Sequence, residues 1–320
     1  ATGKIDLPGT LGGTVGSSVG KNDADSDDEE VRSQNSNALA GIVEQSEAED
    51  TAGESLKELS AVTAQEGKYT SITDVATDEN GNIYVADATG KKLYKLNSSG
   101  TILATYSASS QVNGVCVNGS DVYLLEGELA GMVTVLDVAK LTKKNEIEVG
   151  HTPISMVVNG TTGYVANRFS NDVSVINLTT GTVMSTIEIG GRETEALALA
   201  NGKVYVACHL PDESAGSDVI SANVAVINTS TNKVIKTMNL VNGAGGVKDI
   251  CASPDGKTVY VSHIIARYAY PTTQLDRGWI NTNAVTIIDT TSDKPKTSVL
   301  LDEVELGAAN PWGITVSEDG

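Results

Sequence analysis

The stretch GYVANRFSNDVSVINLTTGTVMSTIEIG, Gly163 to Gly190, decides how this chain is read. It opens on an apolar run around Tyr164, crosses the polar RFSND, and returns as the alternating VSVIN of Val173 to Asn177. A Leu-Thr-Thr-Gly turn follows, then a second alternating run from Thr182 to Ile189. Alternation with period two, broken by Gly, Asn and Thr, is the pattern of short antiparallel strands joined by tight turns. The apolar SMVVN just before it adds one more strand, so the unit holds four.

The unit recurs along the chain. NIYVADA, DVYLLEG, TGYVANR, KVYVACH and TVYVSHI align on Tyr84, Tyr123, Tyr164, Tyr205 and Tyr260, a period of about 40 residues that widens at the last step. Each tyrosine strand is preceded by a short apolar strand and followed by a third ending in Asp or Asn: KLYKLN, VTVLD, VSVIN, VAVIN, VTIID. Five units result, at about 72–110, 111–150, 151–191, 192–245 and 246–309, and NPWGITVSEDG reads as the first strand of a sixth. Four short strands per unit is the arithmetic of a propeller blade.

The quoted stretch resembles a YVTN-type propeller repeat. ITDVATDENGNIYVADATGKKLYKLNSSGTILATY, Ile72 to Tyr106, is similar to NHL and lyase-like propeller repeats. Together the likeness covers roughly Tyr69 to Asn310. It implies an all-β chain, a β-propeller of four-stranded antiparallel blades whose ring is incomplete. It also implies a bacterial parent protein that is periplasmic, secreted or held at the cell surface. Such repeats specify a fold and leave function open, because propellers host binding, scaffolding, lyase and hydrolase activities.

Bulk composition agrees with this reading. The 320 residues are 40% hydrophobic but only 4% aromatic, so a core must be built from Val, Ile, Leu and Ala, which suit pleated strands. A net charge of −19 argues against a nucleic-acid partner and against docking on anionic lipid. No apolar run is long enough to span a bilayer. Cys116, Cys208 and Cys251 lie far apart in strand-like runs, without CxxC or CxxCH spacing. Free buried thiols are the expectation, a Cys208–Cys251 bridge the lesser alternative, and neither a zinc cluster nor covalent haem is encoded in the chain.

The first part of the chain is different. PGTLGGTVGSSVG is Gly/Ser/Thr-rich, and the acidic KNDADSDDEE follows. Residues 1–55 are expected to be a linker or disordered segment, since they cannot bury enough apolar surface to order themselves. Residues 56–320 are expected to form the propeller domain, with a short helix possible from Ser55 through LKEL. Asp23, Asp25 and Asp27 have the spacing of a calcium loop, yet Asp28 occupies the position of its turn glycine and the bidentate Glu is missing. The absence of an initiator Met and the ending at VSEDG read as a piece of a longer protein.

Candidate functional residues come from the loops. The connection from second to third strand is short in the first three units. It lengthens to CHLPDESAGSDVISAN in the fourth and HIIARYAYPTTQLDRGWINTN in the fifth, far beyond the few residues a hairpin needs. Propeller geometry puts both loops, 209–222 and 263–282, on one face together with the entries into the first strands. Long loops on a rigid scaffold concentrate binding residues, and Arg, Tyr and Trp anchor interfaces. Arg267, Tyr268, Tyr270, Gln274, Arg277, Trp279 and Asn281 are therefore candidates, joined by Arg168, His209 and His263 at the same level.

The alternative role for the aromatic loop is a lid over the channel mouth. The ends of the second strands (Asp87, Glu126, Asn167, Cys208, His263) and the first-strand entries (Asn113, His151, Glu193, Glu195, Asp249) form an expected polar ring at that mouth. His209, His263 and Glu195 are the residues from which a metal site could be assembled, the requirement of a metal-assisted lyase or hydrolase. No nucleophile motif and no phosphate loop occur.

One narrower likeness remains. Pro271 to Asp289, YPTTQLDRGWINTNAVTIID counted from Tyr270, resembles an insertion in propellers associated with bacterial di-haem cytochrome c peroxidase-like proteins. That likeness implies haem c in another part of the parent protein and a fused or associated cytochrome module. The first reading remains a non-catalytic recognition or scaffold module whose partner is a protein, a small molecule or a carbohydrate.

Overall fold

The computed structural model describes residues 69–214, 216–266, 281–302 and 310–317. The N-terminal linker, the possible Ser55 helix, the acidic run and the excursion from 267 to 280 lie outside the described residues. Among those described there are twenty strands in five four-stranded antiparallel sheets and no helix.

The first blade is β1 Ile72–Thr77, β2 Ile83–Asp87, β3 Lys92–Leu96 and β4 Ile102–Ser107. The second is β5 Val112–Asn118, β6 Asp121–Glu126, β7 Gly131–Asp137 and β8 Lys143–Val149. β9 Pro153–Asn159, β10 Thr162–Asn167, β11 Asp172–Asn177 and β12 Thr182–Glu188 make the third. The fourth is β13 Arg192–Ala200, β14 Lys203–Leu210, β15 Asn223–Asn228 and β16 Lys233–Asn239. β17 Ala244–Ala252, β18 Thr258–Ala266, β19 Asn281–Asp289 and β20 Lys294–Leu300 complete the fifth. Each sheet is a simple meander in chain order.

The first strands adjoin in series: β1 lies beside β5, β5 beside β9, β9 beside β13 and β13 beside β17. The chain is thus a β-propeller with its first strands innermost. Residues 310–317, expected as the first strand of a sixth blade, have no strand ladder, yet Ile314 N–H donates to Asp249 Oδ2 at 2.9 Å as an inner strand would.

Small aliphatic side chains fill a slab between each pair of neighbouring blades, from the first–second to the fourth–fifth. The recurrent tyrosines belong to these slabs: Tyr84, Tyr164 and Tyr205 are fully buried. Their hydroxyls reach across to the turn between third and fourth strands of the next blade. Tyr84 donates to Val138 O at 3.3 Å, Tyr164 to Asn232 Oδ1 at 2.6 Å, and Tyr205 to Asp293 Oδ1 at 2.5 Å.

Asn232 and Asp293 sit at the left-handed position that closes these turns, with φ of 52° and 51°. Asn and Asp tolerate that backbone better than most residues, so the turn and the cross-blade bond are served by one side chain. In the third blade this position is Gly181, which has no side chain, and no hydrogen bond from Tyr123 is formed among the described residues. Tyr205→Phe is expected to lower stability by about 1 kcal/mol, because it removes the hydroxyl's bond to Asp293 while Lys203 Nζ still reaches the same oxygen at 2.6 Å, whereas Tyr123→Phe changes it by less than about 0.5 kcal/mol. Paired urea denaturation curves check this; equal losses would remove the cross-blade role.

The cysteines are free: Cys208 is buried, and Cys116 and Cys251 are half-buried. Burial pushes the Cys116 and Cys208 thiols up to about 12, which leaves them poor nucleophiles at neutral pH.

Candidate functional site

The loops between second and third strands, together with the entries into the first strands, form one end of the propeller. Its second-strand termini do not form the polar ring expected at the channel mouth. Asp87, Glu126, Asn167, Cys208 and His263 are all buried. A register shift interrupts the pairing of first and second strands near this end in every blade, as between Ile72 and Asp74 or between Thr194 and Ala196. The surplus residues lie in the first strands, whereas the second strands run through the middle of each sheet and are buried on both faces, which takes their terminal side chains in with them.

Those buried groups brace the blades. Asp87 accepts from Thr70 N at 3.0 Å, Ser71 N at 2.8 Å and Gly90 N at 3.1 Å, tying a loop to a strand entry. Burial opposes its ionisation, yet these donors prevail and hold its pKa below the usual carboxylate range. His263 binds Thr286 Oγ1 through Nε2 at 2.7 Å, and Thr286 meets Ser298 Oγ at 2.8 Å. Burial lowers the His263 pKa against the pull of Ile264 O. His263 is therefore a packed core histidine, closed to any ligand at the surface.

His209 is half-buried, its Nδ1 held 2.6 Å from Val247 O. His209, His263 and Glu195 are not assembled into a metal site: among the described residues no group of three or more His, Cys, Asp or Glu could hold an ion. Asn281 is exposed at the start of β19, paired in register with Ala266. Arg267, Tyr268, Tyr270, Gln274, Arg277 and Trp279 lie outside the described residues.

Arg168 leads to the charged centre of this end. Its Nε and Nη2 both reach Glu193 Oε2, at 3.1 and 2.9 Å. Nε also lies 3.2 Å from Glu195 Oε2, an ion pair without hydrogen-bond alignment. Glu195 is only 5% exposed, and its other oxygen is 3.4 Å from Lys248 Nζ. Lys248 in turn stands 4.8 Å from the ring centroid of Trp312. Residues from the third, fourth and fifth blades and from the 310–317 segment thus share one alternating network.

Around it the loops expose Leu129 (82%), Phe169 (58%) and Trp312 (68%). Leu129, Phe169, Lys248 and Trp312 were not singled out by sequence reasoning. For Trp312 the signal was available: a lone Trp after Asn-Pro at a blade entry, where other blades carry polar residues.

Nearer the axis, alternate blades are linked by a side chain. Asp74 Oδ2 accepts Val115 N at 2.9 Å, Ser155 Oγ accepts Leu197 N at 3.1 Å, and Asp249 Oδ2 accepts Ile314 N. The equivalent positions between them are Gly114, Ala196 and Gly313. At Gly114 a Cβ would stand 2.6 Å from Ile154 O, so this position cannot carry a side chain. Burial, aided by the charge of Asp249, pushes the Asp74 carboxyl up to about 6, against the pull of Val115 and Val75 N–H. Asp249 is raised as well, by burial.

With this geometry the chain is defined as a β-propeller whose accessible chemistry lies on a loop end. No family model matches it. Over 101 residues, 32% of this chain and 26% of the relative, it is 26% identical to hydrazine synthase subunit beta of Kuenenia stuttgartiensis. The match therefore spans about a quarter of that curated protein's length. In structure it is similar to a chain of Kuenenia stuttgartiensis hydrazine synthase, with a TM-score of 0.70 and 19% identity. That likeness covers 80% of this chain and 74% of the other, and it establishes the fold.

Proposed function

We propose that this chain is the propeller of a larger protein and acts as a non-catalytic recognition module, engaging its partner at the loop end. One observation carries the reading. Leu129, Phe169, Val219 and Trp312 are exposed in the connecting segments at that end, whereas the turns at the opposite end expose no large apolar side chain among the described residues and those nearest them, such as Leu103, Val183 and Ile235, are spread along the outer fourth strands. Exposed apolar groups gathered on one face mark an interaction surface. The lengthened loop of the fourth blade, between β14 and β15, adds to the same end. The hydrazine synthase similarity supports a setting within a multi-component protein, and the repeat likeness supports an extracytoplasmic one.

Cross-linking of the full-length protein purified from its source tests this. Links to neighbouring polypeptide are expected from Lys91, Lys92 and Lys248 at the loop end. Links concentrated on Lys140 and Lys257, at the opposite turns, would overturn the assignment.

A second reading is supported by the Pro271–Asp289 likeness: the partner is a c-type cytochrome module of the peroxidase-like kind, fused or associated. Haem c in the purified parent protein, seen by its reduced-minus-oxidised spectrum, would favour it. A parent protein without CxxCH motifs and without haem would eliminate it.

A further inference from the structure

We infer that the cluster of Arg168, Glu193, Lys248 and Trp312 binds a neutral saccharide; this rests on the recognition reading above and names its ligand class. Trp312 is large, flat and mostly exposed, yet it is not loose. Two residues later Ile314 N–H is fixed on Asp249, and the Lys248 ammonium lies against the ring. Phe169, beneath the Arg168 guanidinium at 5.4 Å, adds a second exposed aromatic surface. An aromatic face held rigid in water has its apolar area ready to be covered at little conformational cost.

The polar groups beside it select the ligand. Arg168 and Lys248 are balanced by Glu193 and Glu195, so the cluster carries no net charge. A charged ligand would have to break one of these pairs and leave its partner uncompensated in a half-buried place. A purely apolar ligand would strip water from four charged groups without replacing its hydrogen bonds.

Hydrogen-bonding capacity nevertheless remains. Glu193 Oε1 accepts nothing from the described residues, Arg168 Nη1 donates to none of them, and Lys248 makes one hydrogen bond although it has three protons to give. Donors and acceptors therefore alternate along the network that ends at Lys248 and the Trp312 indole. Hydroxyl groups both donate and accept, and a pyranose ring presents a C–H face that covers an aromatic ring. A neutral sugar meets all of these conditions together.

The test uses the 320-residue chain titrated with cello-, laminari-, chito- and manno-oligosaccharides, followed by calorimetry and indole fluorescence. At least one neutral series is expected to bind with a dissociation constant of roughly 10 µM to 1 mM. Trp312→Ala should weaken it at least tenfold with an unchanged far-ultraviolet spectrum. Glu193→Gln should weaken it independently, which keeps the test decisive if the Trp312 variant misfolds. No binding by any neutral series at 10 mM, undiminished binding by both variants, or preference for oligogalacturonate or chitosan fragments would overturn the inference. If the sugars fail while cross-links still map to the loop end, only the ligand class is lost.

Discussion

Asp74→Asn is expected to be less stable than the parent chain at pH 3.5 and at least as stable at pH 8. The reason lies in the two duties of this carboxylate. It accepts N–H bonds from Val75 and Val115, one on each oxygen, and Asn can replace only one of them, a loss of about 1 kcal/mol. Ionisation in the folded state is opposed by burial and by Asp249, with the carboxyl pushed up to about 6 from an ordinary value of 3.8.

A folded pKa above the unfolded one means that the native state binds the proton more tightly. The group's stabilising contribution is complete below the unfolded value and is lost as pH rises through about 6. At pH 8 the parent therefore carries an ionisation penalty of about 3 kcal/mol that Asn lacks. The two melting curves should cross between pH 4 and 6 when followed by calorimetry. A constant offset from pH 3.5 to 8 would show that Asp74 titrates normally.

Gly131→Val is expected to cost about 3 kcal/mol or more, which for a domain of this size lowers the melting temperature by roughly 6–12 °C. Gly131 opens β7, where a Cβ would run into the carbonyl oxygen of Gly150 and lie 2.8 Å from Pro153 Cδ. The obstacle is backbone at the entry to the next blade, so no rotamer change relieves it. Gly100→Ala is the contrast: a Cβ there meets nothing within 4 Å, and only its φ of 78° resists, at about 1 kcal/mol. Similar losses at both glycines would mean that blade packing is not what constrains Gly131.

The blades were legible because their signal is local. Alternating runs, Gly and Asn turns and the tyrosine beat all lie within about 40 residues, and the structure places a four-stranded sheet at each of the five units. The site was legible only in part. Arg168 was found, but with the expectation of a polar ring whose members Asp87, Glu126 and Asn167 are instead buried between neighbouring sheets. Spacing alone cannot report that a second strand is covered on both faces by its neighbours, because a polar residue at a strand end looks the same in sequence whether it meets solvent or the next blade. The Asp74–Ser155–Asp249 series escaped for a related reason. Its members occur in alternate units, with Gly114 and Ala196 between them, so a comparison of neighbouring units sees no common residue.

The tyrosine contacts have a direction. Tyr84, Tyr164 and Tyr205 each lean on the blade that follows, never on the one before. Damage should then travel against the chain: melting the fifth blade unfastens the fourth, whereas melting the first leaves the hydroxyls of Tyr164 and Tyr205 still engaged. A pulling experiment would find this molecule harder to unravel from one terminus than from the other.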